Sequence, residues 1–167
     1  MADKKKIVIV GGVAGGASFA ARARRIDETA DITIIEKGPY VSFANCGLPY
    51  HIGGAIQDRA MLLLHTPESL AERYRINAQV NCEATAIDAA AKTITVVDSK
   101  TGESRVLPYD ILLLSPGAEA FIPPIPGADK ANVFALQTIP QMDKIIAWIK
   151  EKRSEERRVG KECRSRW

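Results

Sequence analysis

The sequence predicts an α/β fold, a doubly wound parallel sheet carrying a small antiparallel β meander. Three observations predict it. Lys5-Lys6-Ile7-Val8-Ile9-Val10 is a short apolar, β-branched run that enters a glycine-rich turn and then an Ala/Arg-rich helix. Asp31-Ile32-Thr33-Ile34-Ile35-Glu36 repeats the apolar run after that helix. Beyond Gln79 the pattern changes to short alternating segments, around Glu83–Asp88, Lys92–Asp98 and Arg105–Leu107. Continuous β-branched runs suit strands covered on both faces, whereas alternation suits strands with one wet face.

The first run leads into Gly11-Gly12-Val13-Ala14-Gly15-Gly16-Ala17-Ser18, then Ala20-Ala21-Arg22-Ala23-Arg24-Arg25. Strand, glycine turn and helix are the context a dinucleotide fingerprint requires. Gly11 suits the tight turn, and Gly16 suits close packing of helix on strand. The middle glycine of G-x-G-x-x-G is replaced by Val13. The physical sense survives if Gly12 or Gly15 lets a pyrophosphate approach backbone N–H groups at the helix start. Glu36 ends the second run 25 positions after Gly11, about where an acid meets a ribose hydroxyl.

The next stretch, Ser42-Phe43-Ala44-Asn45-Cys46-Gly47-Leu48-Pro49-Tyr50, places a cysteine where the chain turns into a helix. The expectation is a sulfur at the first turn of that helix, where free N–H groups and the positive dipole end favour a thiolate. A lone cysteine is commonly only a small buried hydrophobe. The neighbouring dinucleotide signature is what points to redox work, with Cys46 beyond the strand ends on the cofactor side.

With these stretches in hand, the chain resembles the flavin-dependent pyridine nucleotide–disulfide oxidoreductases, in particular their coenzyme A-disulfide reductase and persulfide reductase branch. The resemblance runs from about Lys5 to about Lys152. It rests on Gly11 to Gly16, Arg24-Arg25, Glu36-Lys37 and the segment Ser42 to Tyr50; Val13 matches that branch's own habit. It implies the N-terminal part of a Rossmann-like FAD-binding domain. It further implies FAD on Gly11, Gly12, Val13, Ala14, Gly15, Gly16, Glu36, Lys37, Ser115 and Gly117, with NAD(P)H as reductant. Ser18, Arg22, Arg25, Ser42 and Asn45 would line a coenzyme A site. By spacing alone, Arg22 and Arg25 share a helical face that suits phosphates or simple solvation.

Two-cysteine disulfide reductases carry C-x-x-x-x-C, and here position 51 is His51. A single-cysteine mechanism is therefore expected, with Cys46 attacking a coenzyme A disulfide or persulfide and waiting as a mixed disulfide. Two alternatives stay open: an NADH oxidase or peroxidase cycling Cys46 through a sulfenic acid, and an inactive partial flavin-binding module.

The remaining elements are read more coarsely. Met61-Leu62-Leu63-Leu64 reads as packing. Thr66 and Pro67 read as the N-cap and first residue of a helix carrying Arg73 and Arg75, which would extend a phosphate-binding surface. Cys82 reads as structural, because no motif surrounds it. Tyr109 to Ala118 reads as another buried strand ending in a Ser115-Pro116-Gly117 turn. Pro123, Pro124 and Pro126 mark an exposed connector. Gln141 to Lys152 reads as an amphipathic helix with Met142, Ile145, Ile146, Trp148 and Ile149 inward.

Residues 1–152 are read as the N-terminal part of the oxidoreductase domain. Residues 153–167 are read as a non-native tail, since they resemble the one-frame translation of a common sequencing adapter. That tail holds six basic and three acidic residues, and the remainder is balanced at 17 of each. The net charge of +3 is then no sign of a nucleic-acid partner. No apolar run reaches membrane-spanning length, and the Ala2–Lys6 lead enters a strand instead of a signal sequence. No metal site, membrane or nucleic acid is expected. A cytoplasmic location is expected from the few cysteines. The longer protein is expected to be a homodimer, and this chain, with one dinucleotide fingerprint, is expected to lack turnover of its own.

Overall fold

The computed structural model describes residues 4–164, with side chains described up to Lys152. Four strands form a parallel sheet in the order β3-β2-β1-β7: β1 Lys6–Val10, β2 Asp31–Glu36, β3 Ile76–Val80 and β7 Ile111–Leu114. Three more, β4 Cys82–Asp88, β5 Thr93–Asp98 and β6 Ser104–Pro108, form the antiparallel meander.

The period of two in β1 divides its side chains between two cores. Ile7 and Ile9 face a cluster with Ala20, Ile32, Ile34, Leu70 and Ile76. Val8 faces the other way, toward Ile35 of β2 and Cys82, Ile94 and Val96 of the meander. A strand buried on both faces can be apolar along its length, as β1 is from Ile7 to Val10. In β5 only Ile94 and Val96 are buried, alternating with half-buried Thr93, Thr95 and Val97.

Helix α1, Ala14–Ile26, begins six residues before the stretch read as strongly helical, so three residues of the glycine motif lie inside it. Helix α3, Pro67–Tyr74, starts as expected: Thr66 and Ser69 exchange side-chain and backbone bonds in a capping box. Strand β3 was not separable in the sequence from the pattern change at Gln79, because Asn77 and Gln79 interrupt its apolar character. Its partner is β2, through Ile32↔Ile76 to Glu36↔Val80.

Strand β7 departs from the buried strand expected over Tyr109–Ala118. It is the sheet edge, with Ile111 42% and Leu114 56% exposed. The Met61–Leu64 run also divides: Leu62 is fully buried, while Met61 and Leu64 are largely exposed. Cys82 is buried, as expected for a structural cysteine.

The described residues form two compact units, one up to Ala44 plus Ala60–Ala118, the other Asn45–Arg59 plus those from Glu119 onward. The second unit holds a 3₁₀ turn, Asn45–Gly47, the short helix α2, Leu48–Ile52, and the long helix α4, Ile139–Arg164. Met142 is fully buried, and Ile145, Ile146, Trp148 and Ile149 are half-buried, as their spacing predicted. Trp148 meets Phe134 edge-on, with ring centres 5.7 Å apart. The backbone of α4 continues past Lys152 to Arg164; residues 165–167 of the expected tail lie outside the described residues.

Candidate functional site

In the first unit the glycine loop joins β1 to α1 with no room for side chains at three points. Gly11 has φ +91°, and a Cβ there would meet the carbonyl oxygen of Ser115. A Cβ on Gly16 would meet the carbonyl oxygen of Gly11. At Gly12 it would fall 2.7 Å from Val41 and 2.9 Å from Ile34. Gly11 and Gly16 thus do what the motif reading asked of them. Gly12 is required for a different reason, the apolar packing beneath the loop.

Val13 is the N-cap of α1 and supplies no side-chain cap, and the first turn holds no acidic residue. Ala14 and Gly15 are exposed. The helix therefore starts with its N–H groups unanswered by side chains, which suits an anion such as a pyrophosphate. Ser115 backs this loop: its N–H donates to the Val10 carbonyl at 2.8 Å, and its Oγ lies 2.5 Å from where a Gly15 Cβ would stand. Gly117, at φ +78°, is exposed two residues further on.

Glu36 turns back to the same loop. Its Oε2 accepts the Gly12 N–H at 2.7 Å and its Oε1 accepts the Gly38 N–H at 2.7 Å. Each carboxylate oxygen retains a second lone pair for a hydroxyl donor. Lys37 points elsewhere, pairing with Glu83 at 2.8 Å. The residues present fit a dinucleotide: a glycine-rich loop, a helix start with no side-chain cap and a half-buried acid beside both.

On α1, Ser18, Arg22 and Arg25 are exposed, four and three positions apart and so on one face. Arg24 between them is different. It is buried, and its guanidinium donates to the carbonyls of Tyr74, Arg75, Asp27 and Glu28 at 2.9, 2.8, 3.2 and 2.9 Å. It ties the end of α1 to the end of α3, where Arg75 is the left-handed C-cap at φ +52°. Arg24 has no role of its own in the sequence reading, because nothing in an Arg-Ala-Arg-Arg run says which arginine turns inward. Arg73 lies over the Tyr74 ring, 5.4 Å from its centre.

Ser42 is buried and sits in the left-handed region at φ +49°. Its N–H donates to Gly12 at 2.8 Å and its carbonyl accepts from Leu64 and His65, so its backbone is pinned on both sides. Such a conformation in a non-glycine residue persists only where the surroundings fix it.

In the second unit Cys46 is exposed. It lies in the 3₁₀ turn that precedes α2, not in the helix's first turn: Gly47 is the N-cap, and Leu48 and Pro49 open the helix. With five residues, α2 supplies little dipole, so the expected helix-end stabilisation of the thiolate is weaker than the motif suggested. The Cys46 N–H donates to Asn45 Oδ1 at 3.0 Å, which fixes the turn around the sulfur. His51 holds its Nδ1 2.7 Å from the Ile56 carbonyl oxygen; as the donor there, it leaves Nε2 as the basic nitrogen. Among the described residues no group of three or more His, Cys, Asp or Glu side chains is placed to hold a metal. No described helix is long and apolar enough to cross a membrane.

Residues 5–159 match the model of the pyridine nucleotide-disulphide oxidoreductase family. The chain belongs to that family. Coenzyme A disulfide reductase from Staphylococcus aureus strain JH9 is 43% identical over 145 residues, which is 87% of this chain and 32% of that protein. Among solved structures, reduced Bacillus anthracis CoADR-RHD is 47% identical with a TM-score of 0.87, covering 90% of this chain and 27% of that one. The NAD-dependent persulfide reductase from A. fulgidus is 35% identical with a TM-score of 0.82, covering 87% and 27%. The chain therefore spans about a third of the length of the curated relatives it matches. The Rossmann-like α/β architecture with its antiparallel meander agrees with the family.

Proposed function

We propose that the chain is the N-terminal part of an FAD-dependent oxidoreductase that uses NAD(P)H to reduce coenzyme A disulfide or persulfide through Cys46 alone. The observation that carries this reading is Cys46 itself: an exposed sulfur in a turn, followed at position 51 by His51 where two-cysteine reductases have their second thiol. The 43% identity to coenzyme A disulfide reductase over 145 residues supports the substrate.

FAD, when bound, supplies the electron-carrying chemistry between nicotinamide and thiol. Gly11, Gly12, Val13, Ala14, Gly15 and Gly16 would hold its pyrophosphate, Glu36 a ribose hydroxyl, and Ser115 and Gly117 the far side of the loop. Lys37, engaged with Glu83, is the weakest member of that set. Ser18, Arg22 and Arg25 are assigned to coenzyme A phosphates by their exposure on one face of α1. Ser42 acts through its backbone, bonded to the glycine loop. Asn45 fixes the turn from which Cys46 attacks.

The protein's own step is thiol–disulfide exchange. The Cys46 thiolate attacks one sulfur of the disulfide, a new S–S bond forms, the old one breaks, and coenzyme A leaves as a thiolate. The 167-residue chain carries one dinucleotide fingerprint, so nicotinamide oxidation belongs to the longer protein, a cytoplasmic homodimer in this reading.

The test is product analysis on the enzyme that contains this sequence. NADH or NADPH consumption that tracks thiol release from coenzyme A disulfide is the expected result. Water or peroxide formed from oxygen, with no disulfide requirement, would replace this reading by the sulfenic-acid oxidase.

A further inference from the structure

The second unit contains an ion pair that neither the glycine loop nor the cysteine chemistry accounts for. Arg59 Nε donates to Asp143 Oδ1 at 3.0 Å, and its terminal nitrogen donates to Oδ2 at 2.8 Å. A fork of this kind fixes orientation as well as distance. Arg59 closes the Asn45–Arg59 segment that carries Cys46, and Asp143 stands on α4.

Between Cys46 and Arg59, residues 49–56 form one hydrogen-bonded body. Gly53 and Gly54 donate to the carbonyls of Pro49 and His51 at 2.9 and 3.1 Å. Ala55 and Ile56 both donate to Tyr50 at 2.9 and 3.2 Å. The Ile56 carbonyl in turn takes the His51 ring at 2.7 Å. Leu48, at the start of α2, is fully buried, and α2 packs on α4. The Arg59 fork lies three residues beyond this body and Cys46 three residues before it, so the fork limits how far the stretch that carries the sulfur can swing. His51 also lies near enough to Asp143 for its charge to act on the carboxylate.

We infer that Asp143 is a positioning residue for Cys46: through the Arg59 fork it anchors the whole Asn45–Arg59 segment to α4 and so sets the direction from which the sulfur meets its disulfide. The inference rests on the reading of Cys46 as the attacking thiol. The chemistry it governs is the exchange above, which conserves the disulfide and needs no outside oxidant.

The experiment has two readouts on the full chain. Hydrogen exchange follows the amides of Gly53 to Ile56. Peptide mass mapping follows the rate at which coenzyme A disulfide modifies Cys46, which separates it from Cys82 and Cys163. Asp143→Asn should speed exchange at those amides about fivefold, the upper range for a part-exposed pair. It should slow Cys46 modification about tenfold through misdirection of the sulfur, with the circular dichroism unchanged. The charge-swapped double variant Arg59→Asp with Asp143→Arg should recover most of both effects, which a loss of folding would not.

Unchanged amide exchange in Asp143→Asn overturns the pin. Faster exchange with an unaltered rate at Cys46, or a folded swap that recovers neither, overturns the positioning role. A wild-type chain whose Cys46 ignores coenzyme A disulfide, while its amides respond to Asp143→Asn, removes the substrate reading and keeps the pin.

Discussion

Glu36 accepts the amide N–H of Gly12 at 2.7 Å, so the acid that ends β2 closes directly on the loop that ends β1. The same carboxylate takes the Gly38 N–H, and both bonds are charge-assisted. Glu36→Ala should weaken FAD binding by about 1–3 kcal/mol, because a ribose partner and the loop's own brace are lost together. Fluorescence titration of FAD against the purified chain measures this. An affinity equal to wild type would mean that Glu36 serves the loop and not the cofactor.

Gly16→Ala tests the loop from the other side. The added methyl would press on the carbonyl oxygen of Gly11, which is backbone and has little room to retreat. Overpacking of this kind costs about 1–3 kcal/mol. The urea midpoint should fall by a corresponding amount and FAD binding should fall with it. Gly54→Ala is the contrast: nothing lies within 4 Å of its Cβ position, so only its φ of +81° is penalised.

Arg24→Ala should destabilise the chain by about 2–3 kcal/mol, since four carbonyl groups lose a charged donor at once. Arg22→Ala and Arg25→Ala, both exposed, should leave the melting temperature nearly unchanged while weakening binding of coenzyme A disulfide. Equal stability losses at all three positions would contradict this division of labour.

The same three arginines show how far the sequence could be read. β1, α1, β2 and the meander were legible because β-branched runs, a glycine turn and alternation are local signals. Thr66 and Pro67 gave the start of α3 for the same reason. The inward turn of Arg24 was not legible, because its acceptors on α3 lie about 50 positions away in sequence. β7 read as buried because Leu112-Leu113-Leu114 has the composition of a core strand, yet its place at the sheet edge is a property of topology. The glycine loop was recognised by spacing, but the reason for Gly12, contact with Val41 and Ile34, depends on the folded sheet. The Arg59–Asp143 fork spans 84 positions and left no trace in the motif reading.

Cys46→Ser should leave FAD binding intact and abolish exchange with coenzyme A disulfide, since a hydroxyl is a poor nucleophile at neutral pH. Cys82→Ser should have the opposite profile. Cys82 is buried in the meander core beside Val8, Ile35, Ile94 and Val96, so a hydroxyl there lowers stability and leaves the exchange rate unchanged. Exchange retained in Cys46→Ser would move the chemistry to another thiol.

Asp143 carries a pH dependence whose sign follows from its partner. Hydrogen bonding to Arg59, aided by the charges of Arg59 and His51, holds its carboxyl below the ordinary value of 3.8. A depressed folded value means that the unfolded chain takes up the proton first as pH falls. The stabilisation is therefore fully present above about pH 4 and disappears as the pH drops through the lowered value. Asp27 and Asp98, lowered by hydrogen bonds from Thr29 and from the Thr101 and Lys100 amides, act in the same direction. Because Asp143 and Arg59 are 44% and 35% exposed, solvent screening limits the pair to about 1 kcal/mol. Asp143→Asn should thus be less stable than wild type at pH 7 by up to that amount, and the two should converge in acid. Unfolding in urea at pH 7 and at pH 3 measures the difference, and a gap that stays constant or widens toward acid would show that the carboxylate charge is not what holds α4 to the cysteine segment.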